Sequence, residues 1–151
     1  MAITAEAVKE LRDKTGISVM QCKKALEEAG GDMQKALDIL ARTSAEIAKK
    51  KGDRELAAGS VAAYIHATKQ VGAIVLLSCE TDFVSKNEAF SDLAYSIAMH
   101  AAAMRPESLE ALLLQSYIKD PSKTIQNLLE EATQKFGERI GISKCEVLSV
   151  K

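Results

Sequence analysis

The 151-residue chain carries 20 Lys+Arg against 21 Asp+Glu, a formal net charge of -1, with 47% apolar and 4% aromatic residues. This balance fits a packed globular chain of one ordinary domain or a small module plus a modest one, not a disordered one. With no Trp and no basic excess, it speaks against a base-stacking platform or a phosphate-gripping surface, so no direct nucleic-acid partner is expected.

Residues 1–43 read as three short amphipathic helices. Thr4 caps a first helix bearing Val8 and Leu11, and Thr15-Gly16 ends it. Ser18 followed by Gln21 makes a capping box for a second helix. Cys22, Ala25, Leu26 and Ala29 give that helix one apolar face at i, i+3, i+4, i+7. Gly30-Gly31 stops it, because glycine enters the left-handed C-cap conformation without a Cβ clash. Asp32 caps a third helix with Met33, Ala36, Leu37 and Leu40 on one side. Three such helices must share one small core.

Residues 44–58 are charged and poor in large apolar groups, a linker that is helical at its start. Residues 59–151 form the second part. Val61, Ala63 and Ile65 alternate with Ala62, Tyr64 and His66, the pattern of a half-buried strand. Thr68-Lys69-Gln70 is a turn. Ala73–Cys79 is apolar on both faces, which predicts a central strand with cover on each side. A polar loop, residues 80–87, follows. Phe90, Leu93, Ala94, Ile97, Ala98 and Ala101 mark a long helix ending before Pro106, with a shorter helical segment at 109–114. Asp120-Pro121-Ser122 opens another helix with Ile125, Leu128, Leu129, Ala132 and Phe136 on one face. Ile142–Val150 is a last strand. This order predicts the α+β class, a small antiparallel sheet covered by helices behind a three-helix domain.

Enzyme signatures are missing: there is no GxSxG, P-loop, GxGxxG or HExxH. Glu80 and Asp82 suit an acid–base pair or metal ligands, but carboxylates after a strand more often cap and solubilise loops. Two histidines, His66 and His100, and three scattered cysteines, Cys22, Cys79 and Cys145, do not make a metal site or a disulfide framework. No catalytic group, cofactor or metal is therefore expected. Reduced thiols, no signal-peptide pattern at the start and no long apolar run predict a cytoplasmic protein without a membrane partner.

Phe83 is a large apolar side chain in a polar loop. It either folds under the loop and staples the next helix, with Val84 beside it, or stands out as a wedge for a partner. The run Thr81-Asp82-Phe83-Val84-Ser85-Lys86-Asn87-Glu88-Ala89-Phe90 resembles the signature of bacterial elongation factor Ts. So do Val8–Gly16, Cys22-Lys23-Lys24-Ala25-Leu26, Ala98–Ala102 and Gly137-Glu138-Arg139-Ile140. These segments stand in family order and reach nearly the whole chain.

The resemblance implies a guanine-nucleotide exchange factor acting on elongation factor Tu, with no covalent chemistry. It implies a ubiquitin-associated-like docking domain at 1–43 and a core, exchange and dimerisation domain at 59–151. By position, Thr81, Asp82, Phe83 and Val84 would face the partner's G domain, with Phe83 pushing in beside the nucleotide's Mg²⁺ site. Phe136 and Gly137 would hold the same region, and His66 falls at a further contact. Arg12, Val19, Met20, Lys23 and Lys51 would form the second contact. Met20 lies about 200° from Cys22 around the helix axis, so it need not join the core face.

Longer relatives carry a second core copy and an inserted helical hairpin, whereas here one core and a brief 106–121 stretch resemble the short, homodimeric forms. A cysteine occurs near the end of some short relatives, but the register of Cys145 looks shifted, and no intermolecular disulfide is expected. A competing reading is a ubiquitin-associated-like module that binds protein or RNA without exchange. RNA binding would need a basic face, and residues 1–53 carry ten basic and nine acidic side chains. A small-molecule enzyme using Glu80 and Asp82 is the other competitor.

Overall fold

The computed structural model describes residues 2–151, and they form a mixed helix and strand structure of the α+β class. The chain divides into two units, residues 2–52 with 130–137, and residues 53–129 with 138–151.

In the helical unit, α1 (Ala5–Thr15), α2 (Val19–Glu28) and α3 (Met33–Lys50) begin at side-chain caps. The Ala7 N–H donates to Thr4 Oγ1 at 3.1 Å, the Gln21 N–H to Ser18 Oγ at 3.3 Å, and the Lys35 N–H to Asp32 Oδ1 at 3.0 Å. Each such cap contributes about 1 kcal/mol. Gly16, at φ 70°, turns the chain out of α1 in the left-handed region. The core is Val8, Leu11, Ile17, Cys22, Ala25, Leu26, Ala36 and Leu40. Ile17 sits in the α1–α2 connection, where no helical period marks it.

The third helix runs on to Lys50, into the 44–58 stretch expected to be helical at its start. Leu40, Ser44, Ile47 and Ala48 continue its inward stripe. The buried Ser44 hydroxyl donates to the Gln134 side-chain carbonyl. Residues 130–137 belong to this unit, an assignment that sequence order does not suggest.

The second unit is built on an antiparallel sheet of order β1-β2-β5, from β1 (Ala58–Ile65), β2 (Val71–Cys79) and β5 (Gly141–Ser149). The one-turn helix α4 (Asp82–Ser85) lies inside the stretch expected to be loop. Next come α5 (Glu88–Met104), α6 (Leu109–Leu114), and the hairpin β3 (Ser116–Tyr117) with β4 (Asp120–Thr124). Helix α7 (Ile125–Phe136) gives residues 125–129 to this unit.

Asp120-Pro121-Ser122 does not open α7. These residues are strand, where a proline is tolerated at an edge. The cap is Thr124 instead: the Asn127 N–H donates to Thr124 Oγ1 at 3.1 Å, and the Thr124 N–H to Asn127 Oδ1 at 2.9 Å. That is a capping box with Asn in the acidic position.

Helix α5 packs across β1 and β2. Its Phe90, Ala94, Ile97, Ala98 and Ala101 are buried, as are Ala73, Val75 and Leu77 on the facing side of β2. Strand alternation puts Val61, Ala63, Ile65, Ile74, Leu76 and Leu148 on the other face. β2 is central, as expected, but only one of its faces is covered. Ile65 is 66% exposed and Leu148 78%.

Candidate functional site

The site begins where β2 ends. Thr81, in extended backbone at φ -131° and ψ 155°, leads into α4, whose bonds are the Ser85 N–H to Thr81 O at 3.2 Å and the Lys86 N–H to Asp82 O at 3.0 Å. One helical turn is too short to hold itself, so its geometry must come from tertiary anchors. Val84 is one anchor, 4% exposed. Its neighbour Phe83 is 87% exposed, which excludes the staple and leaves the ring standing out into solvent. Asp82 is exposed in the first turn, where the helix end favours negative charge.

The second anchor is Glu138. Its Oε1 accepts the Glu80 N–H at 3.1 Å and the Thr81 N–H at 2.9 Å, and its Oε2 accepts the Thr81 hydroxyl at 2.6 Å. The Thr81 hydroxyl is thereby directed to Glu138 and does not cap α4. In return, Glu80 Oε2 accepts the Arg139 N–H at 2.6 Å. Glu80 Oε1 pairs with Arg54 Nη1 at 3.2 Å, and Arg139 Nη1 donates to the Arg54 carbonyl at 2.6 Å. Glu80 thus serves the architecture of the turn. Burial, then the Glu138 charge, pushes the Cys79 thiol above its usual pKa, and its Sγ donates to Thr81 O at 3.3 Å.

His66 closes the far end of β1. Its Nδ1 meets the Thr68 hydroxyl at 2.9 Å and accepts the Thr68 N–H at 3.2 Å, so Nε2 carries the proton. In the sheet, Ala58 pairs with Cys79 and Ile65 with Gly72. His66 therefore stands about 23 Å of strand away from the Phe83 end, at roughly 3.3 Å per residue. One protomer does not bring His66 and Phe83 together.

In the helical unit, Arg12, Val19 and Lys23 line one groove with Lys9, Asp13 and Val8. Met20 projects beside Val19, 81% exposed, as its angle from the core face requires. Lys51 lies at the end of α3 and is not in that lining. Phe136 is half-buried with Lys135 Nζ 5.4 Å above its ring, and Gly137 ends α7 at φ 73°. An L side chain at that φ would be strained, whatever the space. Among the described residues, no helix is long and apolar enough to cross a membrane.

A family model described as elongation factor TS matches residues 80–151, starting at the first residue of this turn. Elongation factor Ts of Thermodesulfovibrio yellowstonii is 38% identical over 95% of this chain and 94% of its own. The chain belongs to the elongation factor Ts family. It is thereby a translation elongation factor of protein biosynthesis. The elongation factor Ts of Thermosipho melanesiensis is 42% identical over 90% of this chain and 77% of its own. That of Chloroherpeton thalassium is 45% identical over 97% of this chain but 51% of its own, so the chain spans about half of some relatives.

Sequence reasoning about this elongation factor Ts chain missed Glu138 and Arg54. Both act on Glu80 or Thr81 from far along the chain, and the only available signal was the acidic residue after Gly137 in a matching segment.

Proposed function

We propose that this protein promotes GDP release from elongation factor Tu in the cytoplasm, with α4 as the wedge and no covalent step. The observation that carries the reading is the exposed Phe83 ring held on a turn anchored by Val84 and Glu138. A large exposed aromatic on a rigid support is the residue type that dominates interface energies. A module that bound through its helical unit alone would have no use for it.

The mechanism is linkage. A partner that binds the empty GTPase more tightly than the GDP-bound one must weaken GDP by the same factor. Inserted beside the Mg²⁺ site, Phe83 displaces the groups that support the ion, and the phosphates lose its charge. A loss of about 4 kcal/mol speeds release roughly a thousandfold. Asp82 and Thr81, exposed beside Phe83, complete this contact, and Val84, buried beneath the turn, supports it from inside. Phe136 and Gly137, at the end of α7, are a further partner contact. The groove of Arg12, Val19 and Lys23, with Met20 and Lys51, is the docking contact on the helical unit.

The uncovered sheet face supports a homodimer. Val61, Ile65, Ile74 and Leu148 form an apolar surface, with Lys144 and Glu146 beside it on β5. A second copy offers the same apolar face and matching opposite charges. Packed with the strands reversed, it would set His66 of one protomer near Phe83 of the other. The test is release of labelled GDP from elongation factor Tu: acceleration by this protein supports the reading, and unchanged release overturns it.

A further inference from the structure

We propose that Glu138 is a positioning residue for exchange, whose carboxylate fixes the direction in which Phe83 is presented. This rests on the exchange reading above. The two peptide N–H groups before α4, those of Glu80 and Thr81, both end on Glu138 Oε1, at 3.1 and 2.9 Å. The Thr81 hydroxyl ends on Oε2 at 2.6 Å. One side chain thus sets the planes of two successive peptides and the rotamer of the residue that enters α4.

Two residues later comes Phe83, and the next side chain, Val84, is buried. The wedge is therefore held between a polar clamp and an apolar plug. Without the clamp, the two peptides that lead into α4 lose their direct polar tie. The Cys79 Sγ bond to Thr81 O at 3.3 Å is a weak substitute, and the turn can pivot about Val84 so that the ring is averaged over directions. Glu138 itself is fixed, because the following N–H, that of Arg139, donates to Glu80 Oε2 at 2.6 Å. Charge-assisted bonds of this kind are about twice as strong as neutral ones.

The experiment uses the full chain with Glu138→Ala, Glu138→Gln and Phe83→Ala in parallel. Labelled GDP release is followed against factor concentration, with circular dichroism on each sample. A Gln carbonyl oxygen can still accept both peptide N–H groups, and its amide can donate to the Thr81 hydroxyl. We expect Glu138→Ala to lower the maximal release rate about tenfold or more, the scale of misplacing a reacting group by about an ångström. The half-saturating concentration should move far less, and Glu138→Gln should restore most of the rate.

Amide hydrogen exchange at Thr81 reads the clamp without any partner, and it should speed up in the Ala variant only. Full maximal rate in Glu138→Ala, with Phe83→Ala inactive, overturns this inference and leaves the exchange reading standing. Equal loss in Ala and Gln, or an unchanged Thr81 amide in the Ala variant, overturns it as well. If the unaltered protein releases no GDP, the exchange reading itself has failed. If Glu138→Ala does not fold, Thr81→Val removes the hydroxyl bond alone, and it must lower the maximal rate for the inference to hold.

Discussion

Glu80 and Glu138 hold each other's backbone: the Glu80 N–H donates to Glu138 Oε1 at 3.1 Å, and the Arg139 N–H donates to Glu80 Oε2 at 2.6 Å. Two carboxylates brought this close would repel, and Arg54, 3.2 Å from Glu80, offsets that charge. The reciprocal pair joins the end of β2 to the start of β5. The exposed wedge thus grows from a turn tied to both strands.

Phe83→Ala is expected to leave the fold intact and remove most exchange activity. The ring makes little of the protein's own core, so stability should change by less than about 0.5 kcal/mol. An interface aromatic of this exposure should cost about 2 kcal/mol or more of partner binding. Urea unfolding and GDP release on one sample check it. Normal release by the variant removes the wedge from the mechanism.

Arg12→Glu with Lys23→Glu should weaken the partner complex and spare the fold. Both side chains are exposed and border the same groove, and Lys23 reaches only Glu27 at 4.0 Å, a surface pair of little worth. The loss should be in affinity, about tenfold, and should shrink as salt screens the contact. Calorimetric titration at two ionic strengths reads it. An unchanged affinity at low salt would mean that this groove is not the docking contact.

Much of the helical unit was legible because its signals are local. Thr4, Ser18 and Asp32 cap helices through atoms three residues away, and the apolar spacing names the core. The start of α7 is not where Asp-Pro-Ser puts it, because that run is also cap chemistry and the pairings of Tyr117 with Asp120 and Ser116 with Thr124 make it strand. Phe83 was ambiguous for another reason. A one-turn helix has one inward slot, and either Phe83 or Val84 suits it; the fold gives it to Val84. The Glu138 clamp spans 58 residues, a distance at which no periodicity or cap rule operates. The uncovered sheet face had the same origin: the pattern asks for cover on β2, and among the described residues of this unit α5 supplies it on one side only.

His100 should make the fold sensitive to mild acid. It is fully buried; its Nδ1 accepts the Ile118 N–H at 3.2 Å and its Nε2 donates to Gln115 Oε1 at 3.0 Å. This neutral ring ties α5 to the segment between α6 and β4. Burial pushes its pKa below the usual 6.5, against a smaller opposing pull from Gln115. The unfolded chain then binds the proton more readily, so stability is complete above pH ~6.5 and falls as pH drops toward the folded value. Urea midpoints should be level from about pH 7 to 8 and decline as the pH falls below about 6.5. His100→Gln, less stable throughout, should lose that decline; a slope that persists in it would assign the effect to other groups.

The uncovered sheet face makes the last prediction. Val61 and Leu148 both stand outside the monomer's core, on the face away from α5. Their replacement by Glu should change monomer stability by less than about 0.5 kcal/mol each. In a face-to-face dimer the same charges would be buried without partners, which costs several kcal/mol per site and splits a standard-sized interface. Sedimentation under reducing conditions should therefore show a dimer for the unaltered chain and a species of 16.3 kDa for Val61→Glu with Leu148→Glu. Exchange should fall with dissociation, because His66 and Phe83 lie at opposite ends of one sheet and the proposed dimer is what would set one beside the other. Mixing that variant with Phe83→Ala should not restore it, since one partner lacks the interface. A 16.3 kDa monomer that exchanges GDP at full rate would leave the sheet face without its second copy.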